Sequence, residues 1–154
     1  MPRTCKLLLL GLVPLAAGYA LNYILLLFWF LPINGLLLAV PEAVLLFLWG
    51  YLAYRASSPE RNPLWQALLL CAVGLVMLGL GLYQVLVLKQ YWHGFFGIAP
   101  QMYFLPLLAL AATLLNPLFQ LFMPILEIWP YYIVIWIVMF LVSCIGCVLR
   151  RRRG

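Results

Sequence analysis

The stretch Tyr131–Gly154 reads YYIVIWIVMFLVSCIGCVLRRRRG, about one bilayer's worth of apolar residues followed by four consecutive arginines. An apolar helix of roughly 20 residues crosses a hydrocarbon core about 30 Å thick. Adjacent arginines resist translocation and mark the cytoplasmic side of a crossing. This one stretch therefore fixes a solvent, an element type and an orientation that the preceding chain has to satisfy.

The remainder of the chain fits the same solvent. Hydrophobic residues make up 68% of the sequence and charged residues only 8%, whereas soluble domains carry about 25% charged residues. Such a chain cannot cover a water-facing surface. Its apolar runs are continuous rather than alternating, which favours helices over the strands of a membrane barrel. The expected fold class is an all-α polytopic integral membrane protein, with residues 1–154 forming one transmembrane helical domain. The net charge of +6 does not point to nucleic acid, because the basic residues flank apolar segments. Arg3, Lys6, Arg55, Arg61, Arg150, Arg151, Arg152 and Arg153 read as topology anchors at the lipid bilayer surface.

Four crossings are expected, over about residues 7–31, 36–54, 64–88 and 131–149. The first begins like a signal peptide, but its apolar run continues past Gly18-Tyr19-Ala20 and exceeds the 7–15 residues of a cleavable core. It reads as an uncleaved helix. Gly11, Gly18 and Asn22 form a small and polar stripe on it, suited to close helix packing. Pro32-Ile33-Asn34-Gly35 signals a turn. The third crossing carries a seam of Ala67, Cys71, Gly74, Leu78 and Gly81, again a packing face. It ends in Lys89-Gln90-Tyr91-Trp92-His93, whose aromatics suit headgroup depth.

Residues 99–128 are apolar but broken by Pro100, Pro106, Pro117 and Pro124. Two readings compete. If the segment crosses once, the chain has five transmembrane helices. Four basic residues (Arg3, Lys6, Arg55, Arg61) then face Lys89 and the four terminal arginines across the membrane. If it dips in and returns as a re-entrant or interfacial element, there are four crossings, and Lys89 alone lies opposite the other eight. The positive-inside rule favours the second, and broken helices are tolerated at membrane depth when protein buries them. That reading places Arg3, Lys6 and Arg150–Arg153 on the cytoplasmic side of the plasma membrane.

It also sorts the polar residues. Glu42, Lys89, His93 and Glu127 all fall toward the outer face, with Asn34, Gln84, Gln90, Gln101, Asn116 and Gln120 on the same side. Intramembrane charges are costly and mark candidate sites, so Glu42, Glu127, Lys89 and His93 are the candidate ligand-binding set. Against this stands the ordinary preference of polar residues for helix ends. Pro41-Glu42 also suits the first turn of a helix.

Cys144-Ile-Gly-Cys147 has the spacing of a redox pair or half a zinc site. It sits at a helix end of the wrong polarity to stabilise a thiolate, and cysteine is an ordinary filler of helix interfaces. Packing is the favoured use, and no metal or cofactor is expected. Aspartate is absent and no catalytic motif appears, so the balance is against an enzyme. The expected function is a small non-enzymatic membrane protein, as a homo-oligomer or with a membrane protein partner. The alternative is a small transporter or ligand-binding subunit that uses the outer polar cluster.

Overall fold

Prolines and glycines punctuate this chain, and the helices form between them. The computed structural model describes residues 3–27, 35–122 and 127–153. The Pro32-Ile33-Asn34 turn, Pro124 and the Arg3 side chain lie outside the described residues. Regular structure among those residues is helical throughout: α1 (Arg3–Leu10), α2 (Val13–Leu27), α3 (Gly35–Ala56), α4 (Pro63–Leu82), α5 (Ala99–Phe104), α6 (Leu108–Phe122) and α7 (Trp129–Arg153). A π-helical turn, Tyr83–Val87, extends α4, and a 3₁₀ turn, Leu105–Leu107, joins α5 to α6.

The local causes are visible in the sequence. Pro14 has no amide to donate, and α1 gives way to α2 at Gly11-Leu12 just ahead of it. Asn62 caps α4, its side-chain oxygen accepting from the Leu64 amide at 2.9 Å, with Pro63 in the first turn. Lys89 ends the π turn in the left-handed region at φ 51°, and the Gln90 amide folds back onto the Gln84 carbonyl at 3.1 Å. Pro106 sits within the 3₁₀ turn, where its ring and missing amide prevent α5 from continuing unbroken into α6.

By length and hydropathy, four helices among the described residues are able to cross a membrane: Thr4–Leu27, Pro63–Val87, Ala99–Gln120 and Trp129–Arg153. This set leaves out the expected crossing over 36–54 and includes the proline-broken segment. Alongside it runs α3, 22 residues long. Pro41 and Glu42 lie inside that helix rather than in its first turn. The outward face of α3 is apolar, with Val40, Val44, Phe47, Leu48 and Tyr51 each about half exposed or more. A soluble monomer rarely exposes a large contiguous apolar patch.

Side-chain contacts give the course of the chain. Trp49 Nε1 donates to the Met139 carbonyl at 3.2 Å, and the Arg150 guanidinium lies 5.6 Å from the centre of the Tyr54 ring. Helices α3 and α7 therefore run parallel. Helix α4 runs against both, with Cys71 Sγ 3.5 Å from Ser143 Oγ at mid-helix and Gly81, further along α4, beside Tyr132 near the start of α7. Gly11 packs at Leu70 and Val73, while Tyr19 stacks on Phe95 beyond the far end of α4. Lys6, Arg55, Arg61 and Arg150–Arg153 thus share one end of the bundle, and Lys89, His93 and Glu127 the other.

The broken segment turns back on itself. Met102 of α5 packs on Gly18, and Pro106, further on, reaches a cleft lined by Pro14, so α5 runs against α2. Helix α6 starts beside Trp49 and Leu46, meets Glu42 at Leu110 and runs against α3. Since α2 and α3 are themselves opposed, α5 and α6 run in opposite directions. Asn116 and Phe119 then meet Tyr131 at the start of α7.

Glycines let these helices touch. A Cβ on Gly18 would lie 1.7 Å from the Met102 carbonyl oxygen, one on Gly11 2.7 Å from that of Leu70, and one on Gly74 2.7 Å from the Tyr103 hydroxyl. Gly81 is looser, 3.4 Å from Pro100. The nearest neighbours of all four glycines lie within the same chain. Asn22 is half-buried on α2.

Candidate functional site

Glu42 is the charged residue the fold encloses most completely, at 2% exposure. It projects from α3 at the start of α6. There its Oε1 accepts from the Ala109 amide at 3.2 Å and its Oε2 from the Leu110 amide at 2.6 Å. A helix start leaves several amides without intrahelical partners, and a capping side chain normally serves those of the second and third residues. Ala109 and Leu110 are the second and third residues of α6, but Leu107, just before it, has no polar group to offer. The carboxylate of α3 does the capping from another helix, at the positive end of the α6 dipole. Thr113 Oγ1 donates to the Ala109 carbonyl at 2.8 Å one turn later.

The space around this acid is hydrocarbon. A cleft of about 170 Å³ is lined by Leu46, Leu107, Leu110, Leu114, Ile135 and their apolar neighbours. A second, of about 150 Å³, lies between Pro14, Trp49, Pro106 and Met139. Neither offers a polar wall to a soluble ligand.

The other three candidate residues lie elsewhere. Lys89 and His93 are exposed in the segment after α4, and Glu127 is exposed before α7. Glu127 accepts a hydrogen bond from Trp129 Nε1. Burial, and after it the Glu127 carboxylate, pushes the Tyr91 phenol above its ordinary range. Glu127 lies at the same end of the bundle as Tyr91 and His93, whereas Glu42 faces the turn between α5 and α6. Among the described residues, no hydrogen bond or ion pair joins the four.

Three side-chain amides tie the scaffold together. Gln84, 1% exposed, donates to the Gly97 carbonyl at 3.0 Å and ties α4 to the entry of α5. The Asn116 side chain accepts from the Tyr131 hydroxyl. At the basic end, Gln66 holds the loop between α3 and α4. It accepts from the Ser58 amide at 2.6 Å and donates to the carbonyls of Ser58 and Arg61 at 2.9 and 3.2 Å. Cys144 and Cys147 are free thiols, half-buried and buried respectively, and Cys147 faces the Ala53 carbonyl. No group of three or more His, Cys, Asp or Glu side chains is placed to hold a metal among the described residues.

Sequence reasoning finds Glu42 but misses its partners, which are main-chain amides. The available signal was Pro106, which predicts a fresh helix start a few residues later, in a segment without a Ser, Thr, Asn or Asp cap. Comparison with protein-family models, with curated proteins and with solved structures finds no match.

Proposed function

We propose that this chain is a non-enzymatic integral membrane protein of the plasma membrane. It crosses four times, and its α5–α6 hairpin enters and leaves on the outer side. It acts as a structural or assembly component, as an oligomer or within a larger membrane complex. The observation that carries the reading is the engagement of Glu42. The one acid within the bundle is committed to two main-chain amides, and the clefts beside it are apolar. A transport or ligand site would need polar groups turned toward a path, which favours the structural role over the transporter reading.

The parallel course of α3 and α7 supports the even number of crossings. It gathers the basic residues at one end, as the positive-inside rule requires of a cytoplasmic face. Single cysteines at Glu60, His93 and Arg153, in a background with the four native cysteines replaced, test this with a membrane-impermeant maleimide. E60C and R153C should react from one side and H93C from the other. Labelling of R153C from the H93C side refutes four crossings. For the assembly role, extraction in a mild detergent should give a particle larger than one protomer on multi-angle light scattering. A single protomer, both there and after crosslinking in native membranes, defeats it.

A further inference from the structure

We infer that the groove between α3 and α7 at the basic end is a site for one anionic phospholipid, with an acyl chain along the groove and the phosphate held by Arg150, Arg153 and Tyr54. This inference rests on the membrane reading above and adds a defined occupant to it.

The groove exists because the two helices meet backbone to backbone. A Cβ on Gly146 would lie 2.5 Å from the Gly50 carbonyl oxygen. Beside that contact the large side chains stand apart, leaving a volume of about 390 Å³ walled by Phe47, Tyr51, Ile145 and Leu149 and closed at one end by Arg153. Phe47 and Ile145 are 75% and 59% exposed, so the trough opens outward to the surrounding medium. From Val142 to Arg153 it runs for about 16 Å at the helical rise, which matches one leaflet, about half of a 30 Å hydrocarbon core.

The charged end is preformed and uncompensated. The Arg150 guanidinium lies over the Tyr54 ring, 5.6 Å from its centre, and Tyr54 and Arg153 line the same groove. The Arg150 Nε is buried and has no hydrogen-bond partner. Arg55 and Arg61 lie at the same end, where the only acidic residue is the exposed Glu60. Among the described residues, no carboxylate pairs with Arg150 or Arg153. Guanidinium groups match phosphate geometry, and basic pockets between membrane helices on the cytoplasmic side suit anionic headgroups. Here one occupant has to satisfy both a hydrocarbon trough and two clustered guanidinium groups, and a phospholipid with net negative charge does so.

The test titrates the full chain in detergent with palmitoyl-oleoyl phosphatidylglycerol or phosphatidylcholine and counts bound lipid by native mass spectrometry. One phosphatidylglycerol should be retained in preference to phosphatidylcholine. The double variant R150A/R153A should weaken it about tenfold beyond R151A/R152A, which removes the same charge from outside the groove. Ile145→Trp, which fills the trough and leaves every arginine in place, should weaken it comparably. It also keeps the test open if R150A/R153A loses its native tryptophan fluorescence. Equal loss in the two arginine pairs overturns the site, because it shows only diffuse attraction. Competition by inorganic phosphate alone, unaffected by Ile145→Trp, overturns the lipid as occupant. Flotation of the wild-type chain with phosphatidylglycerol vesicles separates the two levels. A chain that fails to float refutes the membrane reading itself, while one that floats without the charge-matched difference refutes only the site.

Discussion

Replacing Glu42 by alanine is the perturbation from which most can be learned. It removes two acceptors, at 3.2 and 2.6 Å from the amides of Ala109 and Leu110, at a residue 2% exposed. Hydrogen bonds to charged groups contribute about 1.5–3 kcal/mol each, and a buried donor left unsatisfied costs about 1–3 kcal/mol. Two opposing effects reduce the total. The variant no longer has to bury a carboxylate, and α6 can tighten its first turn to re-pair one amide. The net expectation is a loss of about 3 kcal/mol, the upper part of the range for a lost cap because water is not at hand to replace it. For a chain of this length, about 2–4 °C accompanies each kcal/mol, so the melting temperature should fall by about 6–12 °C.

The assay is thermal unfolding of the detergent-solubilised chain, followed by fluorescence-detected size exclusion. Glu42→Gln is the informative companion. Its amide oxygen keeps one acceptor at α6 but adds a donor with no acceptor facing it, so its loss should be about half that of alanine, close to one good hydrogen bond. An E42A protein that melts within 1 °C of wild type refutes the capping argument. Equal effects of alanine and glutamine would show that the charge, not the acceptor geometry, is what α6 needs.

Three further outcomes follow from other contacts. Gly18→Ala places a carbon 1.7 Å from the Met102 carbonyl and should cost about 3 kcal/mol or more, whereas Gly79→Ala, with open space around its Cβ, should stabilise the chain by about 1 kcal/mol through helix propensity; the pair is read by the same melting assay. Tyr103→Phe removes a buried hydroxyl that has no partner among the described residues, so unfolding should shift upward by up to about 1 kcal/mol, and a clear loss would reveal an acceptor there. Gln66→Ala deletes three hydrogen bonds to Ser58 and Arg61 and should cost about 2 kcal/mol, with trypsin cleavage after Arg61 at least several times faster than in wild type.

Much of this architecture is legible from single residues, and the limits have physical causes. The seam from Ala67 to Gly81 is a periodic signal, and all five of its residues are buried. The third crossing is expected from about residue 64, and α4 starts at Pro63. Glu42 stands out because a carboxylate within an apolar run needs a partner. The sequence pointed to other polar side chains at the outer face, since side chains are what a sequence displays. A main-chain amide becomes a partner only where a helix begins, and whether a helix begins beside Glu42 depends on how α5 and α6 fold against α2 and α3. Pattern reading has no access to that tertiary fact. The glycine stripes show the same limit: their spacing identifies a packing face but not whose helix it meets, and here the neighbours are within the chain.

Glu42 and Pro106 therefore have to be considered together. Pro106 stops α5 at the depth of Trp49 and Met139, and the new helix begins with amides that the apolar side chains around them cannot satisfy. Without an acceptor on α3, that start would be unfavourable, and the segment would do better as a surface helix along the apolar face it now covers. With Glu42 in place, α3 fixes where α6 begins, and Asn116 and Phe119 fix where it ends against Tyr131. The hairpin is thus pinned at its turn by one side chain and at its exit by another helix. Loss of the turn contact should free the hairpin before it disturbs the α3–α7 pair, whose packing rests on Gly50, Gly146 and Trp49. Hydrogen exchange on E42A should then show faster exchange across residues 99–120 while 135–147 stays protected; uniform loss of protection across both would mean that the hairpin and the bundle form a single cooperative unit.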